Sequence, residues 1–317
     1  MRDYWIGTSY LLWWWVAQSN KTLYSSFVSS VNSLRNWHLP LISRASYKRG
    51  FLSGSKTLRQ EESTLIAQVC CGERIGRELF QKKFLYQHNI RRAMAWLSRG
   101  RNQAELVKAL KENGLIKTER VEKTLLAVDR GYFCKYRPYE DTPQPIGWNA
   151  TISAPHMHVT CLELLNEHLK PGSKVLDIGS GSGYLTACMG IMVRPNGLVV
   201  GIEHIPGLAQ QSVENLERSQ RILLEEGVVR ITVGDGRKGF PEEAPFDAIH
   251  VGAAAGNVPR VLLDQLAPGG RMLIPEGTSE QELVQYDKAK DGTISKRHIT
   301  FVRYVPLCSP EQQIRGM

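Results

Sequence analysis

The stretch that decides the fold is VLDIGSGSGYLT, residues 175–186. An apolar pair leads into Asp177, glycines then alternate with serines, and a helix-compatible segment follows. This order predicts a strand, a tight turn and a helix, which together place a ligand at a helix N-terminus. Glycines suit such a turn because a side chain would keep the backbone away from the ligand.

The spacing of the glycines separates this turn from two other nucleotide-binding loops. A dinucleotide-binding loop reads G-x-G-x-x-G, whereas Gly179, Gly181 and Gly183 are spaced G-x-G-x-G. Tyr184 occupies the place of the third glycine, and no Lys-Ser or Lys-Thr pair follows as in a P-loop. A carboxylate at Asp177 would repel a pyrophosphate and attract an ammonium group. The turn therefore favours S-adenosylmethionine, and the alternative is an ordinary glycine-rich turn of another α/β protein.

Strands and helices alternate after this turn, as a parallel sheet requires. The predicted strands cover residues 198–203, 228–233, 246–251 and 271–275, followed by a terminal pair over 281–288 and 297–305. The predicted helices cover 209–225 and 258–266. This pattern predicts an α/β fold with a doubly wound, mostly parallel, Rossmann-like sheet, and the turn favours S-adenosylmethionine as its ligand.

Acidic residues end three successive predicted strands: Asp177, Glu203 and Asp235. Because the carboxyl ends of parallel strands meet at one edge of a sheet, we expect these carboxylates to converge on one crevice. Glu203 follows Gly179 at about the offset where a carboxylate meets ribose hydroxyls in doubly wound sheets. This convergence strengthens the prediction of S-adenosylmethionine as the cofactor.

Upstream of the turn, two helices are predicted to begin at Asn102 and Thr118, each with a side chain suited to capping. Residues 134–150 are rich in proline and aromatic residues, which predicts a long loop. A further helix is expected after Pro155.

The net charge of +9 lies entirely at one end of the chain. Residues 1–93 contain 14 Lys or Arg against 5 Asp or Glu, whereas residues 94–317 contain 26 of each. We therefore predict a basic N-terminal extension over 1–93, largely disordered, and a folded S-adenosylmethionine-binding domain over 94–317. The domain lacks the basic surface that nucleic-acid binding requires, so no nucleic-acid partner is expected.

The extension leaves the location of the protein open. Its apolar run at residues 10–17, YLLWWWVA, is too short to span a membrane, so no stable span is expected. Residues 18–60 contain Ser, Lys and Arg without acids, which is typical of a mitochondrial transit peptide. The six cysteines show no disulfide or metal spacing, which favours a reducing compartment. We expect a cytoplasmic monomer, with mitochondrial or secretory targeting as the alternatives.

Residues 94–313 resemble the protein-L-isoaspartate (D-aspartate) O-methyltransferase family. The resemblance is most specific in TISAPHMH at 151–158 and in GDGRKGFPEEAPFDAIHVGAAA at 234–255. LAPGGRMLIPEG at 266–277 is shared more widely among methyltransferases. The resemblance implies methyl transfer from S-adenosylmethionine to the α-carboxylate of L-isoaspartyl and D-aspartyl residues in damaged proteins and peptides, leaving S-adenosylhomocysteine. The methyl ester then closes to a succinimide, which starts repair.

The resemblance also implies roles for individual residues. Ser153 is the active-site residue, and its hydroxyl orients the acceptor carboxylate or the methyl donor. Position 308 departs from the family, which has Thr where this chain has Cys308. Together with the glycine turn, the resemblance gives a candidate cofactor site of Ala150, Thr151, Ile152, Ser153, His158, Asp177, Gly179, Ser180, Gly181, Glu203, His204, Asp235, Gly236, Cys308 and Gln313.

Several alternatives accompany these predictions. Ser153 could instead cap the helix that begins at Pro155. His156 and His158 form an H-x-H pair, but no third ligand is placed, so no metal is predicted. At the level of the whole domain, the alternatives are a non-catalytic S-adenosylmethionine-binding adaptor related to the family and a methyltransferase for a small molecule or RNA.

Overall fold

The computed structural model describes residues 98–315. The predictions for the extension, residues 1–93, lie outside the described residues. Within residues 98–315, no helix has the length and apolar character needed to cross a membrane.

Two capped helices begin the described chain. Helix α1 spans Gln103–Glu112, and the Asn102 side chain accepts a hydrogen bond from the Glu105 amide. Helix α2 spans Glu119–Ala127, and the Thr118 hydroxyl accepts from the Val121 amide. Both predicted helix starts are therefore confirmed, since each cap satisfies an amide that the first turn leaves free.

The sequence predicted a long loop over residues 134–150, but the second half of this segment forms a β-hairpin. Strand β1, Gln144–Gly147, pairs antiparallel with strand β2, Ala150–Ile152. Trp148 and Asn149 join them with φ angles of 48° and 54°. A two-residue turn with both φ values positive matches the twist of a hairpin. The sequence did not predict this hairpin, because Trp is rarely found in the left-handed conformation and therefore gives no turn signal.

The remaining strands form one seven-stranded sheet in the order β5-β4-β3-β6-β7-β8-β9. Strands β3 to β7 are parallel, and β8 and β9 add two antiparallel pairings at one edge. This topology confirms the predicted doubly wound, mostly parallel sheet. The strands are β3 Lys174–Ile178, β4 Leu198–Glu203, β5 Val229–Val233, β6 Phe246–Val251, β7 Leu266–Glu276, β8 Gln281–Lys288 and β9 Ile294–Val302.

Six α-helices follow the hairpin, and two predicted helices and the last predicted strand have different bounds in the structure. The helices are α3 Pro155–Leu165, α4 Tyr184–Val193, α5 Pro206–Ser219, α6 Arg221–Glu225, α7 Arg260–Asp264 and α8 Pro310–Arg315. The helix predicted over 209–225 is divided at Gln220, which leaves the helical conformation. The helix predicted over 258–266 ends at Asp264 because Leu266 already belongs to β7. The last strand begins at Ile294 and ends at Val302, before the predicted 305.

The core lies on both faces of the sheet. Along β3, Val175 belongs to one buried apolar cluster and Leu176 to the other, as the alternation of a strand requires. The first cluster also holds the apolar faces of α1 to α4, whereas the second includes Leu262 of α7. With both faces covered, the open carboxyl edge of β3, β4, β5 and β6 is the place where a ligand can approach the sheet.

Candidate cofactor and acceptor site

An open cleft of about 570 Å³ lies at the carboxyl ends of β3 to β6. The lining residues come from four strand ends, the β1–β2 hairpin and the segment before and within α8: Ala150, Thr151, Ile178, Gly179, Gly181, Ile202, Glu203, His204, Gly234, Asp235, Gly236, Gly252, Ala253, Val305, Pro306, Leu307, Cys308 and Gln313.

The glycine turn forms the floor of this cleft. Gly179, Gly181 and Gly183 all have positive φ, at 73°, 56° and 83°. The Gly179 and Ser180 amides donate to the Ile202 carbonyl at 2.8 and 3.0 Å, which fastens the turn to β4. A Cβ at Gly183 would lie 2.4 Å from Ser212 Oγ. The turn therefore needs glycine for conformation at each of the three positions and for space at the last.

Glu203 ties the turn to the next strand. Its carboxylate is only 5% exposed and accepts hydrogen bonds from the Gly181 amide at 3.2 Å and the Ile205 amide at 3.0 Å. Burial raises the pKa of Glu203 above its ordinary value. The side chain also lines the cleft, so a carboxylate with a fixed direction is presented to a ligand that carries hydroxyl groups.

Asp235 lines the cleft from the turn after β5. Its two oxygens accept from Arg237, with Nε at 2.8 Å and Nη2 at 2.8 Å. The side-chain hydrogen bonds of Arg237 lower the pKa of Asp235. The next residue, Gly236, is required for close packing, because a Cβ there would lie 2.3 Å from Ile178 Cγ2. The turn therefore lies flat against β3.

Asp177 does not line the cleft, so two of the three strand-end acids reach it. The carboxylate is 1% exposed and accepts from Thr186 Oγ1 at 2.6 Å, while its other oxygen lies 2.8 Å from His250 Nδ1. Burial lowers the pKa of His250, but hydrogen bonds with Asp177 and Cys161 outweigh this and raise it to about 10. The Asp177 carboxylate is thus paired with His250 inside the protein, whereas the sequence predicted that it would attract a cofactor ammonium group.

The acceptor side of the site begins where β2 runs into α3. Ala150 and Thr151 line the cleft, whereas Ile152 is buried beneath them. Ser153 does not cap α3, because Ala154 is the capping residue and no side chain bonds to the first turn. The Ser153 side chain instead lies beside Tyr304: burial raises the pKa of the Tyr304 hydroxyl well above its ordinary value, and Ser153 lowers it in part.

Two other predicted positions, His158 and Ser180, lie behind the cleft. His158 and Ser180 are buried and do not line it, and the Ser180 hydroxyl has no hydrogen-bond partner in the described structure. His156 pairs with Asp141, with Nδ1 2.8 Å from the carboxylate. Within residues 98–315, no group of three or more His, Cys, Asp or Glu side chains could hold a metal ion.

Helix α8 covers the opposite side of the cleft. Gln313 Nε2 donates to the Trp148 carbonyl at 2.7 Å, and its Oε1 lies 2.7 Å from His204 Nε2. Asn149 Nδ2 donates a hydrogen bond to the Gln313 carbonyl at 2.9 Å. Gln313 therefore joins the hairpin turn, the end of β4 and α8. Cys308 lines the cleft beside them, and burial raises the pKa of its thiol.

Sequence reasoning missed the lining residues that contribute mainly backbone or apolar surface. The missed positions are Ile178, Ile202, Gly234, Gly252, Ala253, Val305, Pro306 and Leu307. Three of these, Ile178, Ile202 and Gly234, directly precede or follow a predicted acid or the glycine turn, so their strand-end position was the available signal. Residues 305–307 gave no sequence signal, because two backbone hydrogen bonds hold them at the cleft. The Ala254 amide donates to the Val305 carbonyl, and the Leu307 amide donates to the Ala254 carbonyl.

Known proteins are similar to this chain in sequence and in fold. The sequence profile of the protein-L-isoaspartate(D-aspartate) O-methyltransferase family matches residues 101–312. A protein-L-isoaspartate O-methyltransferase of Triticum aestivum is 54% identical over 213 residues, which is 66% of this chain and 93% of that protein. The Caenorhabditis elegans enzyme of the same name is 50% identical over 222 residues, covering 69% of this chain and 98% of its own.

A solved structure is also similar. It is a crystal structure assigned as a protein-L-isoaspartate O-methyltransferase of Plasmodium falciparum in complex with S-adenosyl-L-homocysteine. It is 40% identical, with a TM-score of 0.63, and the match covers 66% of this chain and 99% of that one. The glycine turn, the cleft, and matches of this extent to whole relatives lead to one conclusion: the chain belongs to the protein-L-isoaspartate (D-aspartate) O-methyltransferase family.

Proposed function

We infer that this chain is an S-adenosylmethionine-dependent protein-L-isoaspartate O-methyltransferase that acts on isoaspartyl residues of damaged proteins. The observation that carries this function is the position of TISAPHMH, residues 151–158, which runs from the wall of the glycine-floored cleft into α3. The segment places an acceptor site beside the cofactor cleft, as transfer between two bound molecules requires.

The residues fit the cofactor. S-adenosylmethionine has no phosphate, and the turn offers neither a P-loop lysine nor a dinucleotide spacing. When bound, it supplies an activated methyl group. We propose that the Glu203 carboxylate accepts the ribose hydroxyls, and that Asp235 and Gly236 face the adenine. This assignment is supported by their place in the cleft lining and by the fixed direction of the Glu203 side chain.

The acceptor chemistry needs little from the protein beyond position. A carboxylate is ionised at pH 7, so its attack on a methyl group requires no general base. What remains is to align the carboxylate with the methyl group and to exclude water. We propose that the Ser153 hydroxyl orients the acceptor carboxylate, which is supported by the place of Ser153 close to the cleft-lining residues Ala150 and Thr151 and beside Tyr304.

A matched peptide pair tests the function. The full chain is incubated with methyl-labelled S-adenosylmethionine and either an isoaspartyl peptide or its normal aspartyl counterpart. Base-labile label should appear in the isoaspartyl peptide and stay absent from the aspartyl peptide. Equal labelling of the two peptides would contradict the specificity. Cofactor binding without any turnover would favour the alternative, a non-catalytic adaptor.

We also propose that residues 94–317 form the methyltransferase domain and that the protein acts as a cytoplasmic monomer. The family match over 101–312 supports the domain bounds. The four cysteines of the described chain are free, and three of them are buried, which suits a reducing compartment. A shortened chain starting at Met94 should fold and methylate, and light scattering should give one chain per particle. An insoluble or inactive product would place part of residues 1–93 in the fold.

A further inference from the structure

Arg130 is a cation enclosed by the protein core. It lies in a single 3₁₀ turn, Arg130–Tyr132, directly after α2, and is 0% exposed. Its Nε atom is buried without a hydrogen-bond partner. A buried charge is retained only where its contacts offset the loss of water. The contacts of this guanidinium therefore indicate its role in the structure.

The directed contacts of the guanidinium lead to the acceptor segment. Nη2 donates to the Ser153 carbonyl at 2.8 Å, and Nη1 lies 3.2 Å from His158 Nδ1. Among residues 98–315 no carboxylate forms an ion pair with Arg130. The buried Asp141, whose charge acts on the guanidinium, is held by His156 instead. The Arg130 side chain thus contacts Ser153, which directly follows β2, and His158, which lies in the first turn of α3.

The contact with His158 also determines where that ring carries its proton. A guanidinium can only donate hydrogen bonds, so Nδ1 of His158 must be the acceptor. The ring is then neutral, with its proton on Nε2. Burial, together with the positive charge of Arg130, lowers the pKa of His158 well below its ordinary value, which is consistent with a neutral ring.

We propose that Arg130 is a positioning residue of the acceptor site, which fixes the Ser153 backbone and holds His158 as the neutral Nε2–H tautomer. The proposal rests on the proposed function, since it assigns a task within the same reaction. Arg130 itself is fully enclosed and reaches no ligand. Arg130 fixes the backbone of Ser153 and therefore the direction of its side chain. A small change in that direction would lower the rate of methyl transfer, because the reacting groups would no longer be aligned.

The test compares Arg130→Met with a control at Arg120. Arg120 is also an arginine that donates to backbone carbonyls, namely those of Asn166, Leu169 and Met192, but it does not line the cleft. Arg130→Met should lower kcat/KM for an isoaspartyl peptide by about 100-fold, the scale of a small misplacement. The dissociation constant of S-adenosylhomocysteine should change by less than about threefold, because Arg130 does not line the cofactor cleft. Arg120→Met should change neither quantity by more than about threefold.

A second measurement is independent of activity. In ¹⁵N-histidine spectra of the full chain, the His158 signal, identified by its loss in His158→Gln, should show an unprotonated Nδ1. In Arg130→Met, and more weakly in Arg130→Lys, Nδ1 should become protonated in part of the molecules. If Arg130→Met does not fold, the same spectra and kinetics of Arg130→Lys decide the question.

Two outcomes would overturn the proposal: an unchanged His158 signal in a folded Arg130 variant, or equal losses of activity in Arg120→Met and Arg130→Met. A wild-type chain that fails to methylate the peptide would contradict the proposed function alone, since the histidine spectra would still report on Arg130.

Discussion

Replacing Glu203 with glutamine separates the role of its charge from that of its shape. In the wild type each carboxylate oxygen accepts one hydrogen bond, one from the Gly181 amide and the other from the Ile205 amide. In Glu203→Gln one of these oxygens becomes an NH₂ group, which cannot accept. One buried amide then loses its partner, and the cleft loses an acceptor for the ribose hydroxyls.

The size of the effect follows from the charge of the acceptor. A hydrogen bond to a charged group contributes about 1.5–3 kcal/mol. If the lost acceptor is one that the cofactor uses, its dissociation constant should rise by about 10- to 150-fold, since each 1.4 kcal/mol is tenfold. Isothermal titration calorimetry with S-adenosylhomocysteine, at a pH well above the raised pKa of Glu203, measures this change directly.

Glu163 offers a matched control. It also receives two backbone amides, those of Lys117 at 2.7 Å and Thr118 at 2.9 Å, but both bond to the same oxygen. Glu163→Gln can keep both bonds, and Glu163 does not line the cleft. This variant should leave cofactor affinity unchanged. A Glu203→Gln protein that binds S-adenosylhomocysteine as tightly as the control would refute the role assigned to the carboxylate.

Three further perturbations probe the turn, the covering helix and the buried ion pair. Gly183→Ala should lower the free energy of unfolding by at least about 1–2 kcal/mol, because alanine is strained at positive φ and its Cβ would overlap Ser212 Oγ; thermal denaturation measures this. Gln313→Ala should weaken cofactor binding about fivefold by calorimetry, since two partly exposed side-chain bonds contribute only about 1 kcal/mol. The pKa of His250 is raised from 6.5 to about 10, so its stabilisation is complete below pH 6.5 and is lost as the pH rises towards 10. Denaturant titrations should show the unfolding free energy falling across this window by at most about 1.4 kcal/mol per pH unit, and His250→Asn should abolish that fall.

The fold was accessible from sequence because its signals are local. The glycine turn after an apolar strand, and the regular alternation that follows it, depend on residues close together in the chain. The same holds for Glu203 and Asp235, whose place at the cleft follows from lying at the ends of adjacent parallel strands.

Other features depend on contacts between distant residues, which a single sequence does not display. Asp177 was expected to face the cofactor, but its neighbour across the sheet is His250, which lies 73 positions away and pairs with it. The hairpin turn at Trp148 is held in part by Gln313, 165 positions away. Arg130 gave no signal at all, because nothing near it in sequence shows that it is buried against Ser153.

Specific delivery of a methyl group to the isoaspartyl carboxylate is the property that sets this cleft apart from an ordinary cofactor site. The most direct test is the ratio of kcat/KM for an isoaspartyl peptide to that for the same peptide with normal aspartate, measured side by side for the wild type and Ser153→Ala. We expect a high ratio for the wild type, and a large loss of kcat with nearly unchanged cofactor affinity in Ser153→Ala. A ratio near unity, or a Ser153→Ala protein that loses only cofactor binding, would contradict this expectation.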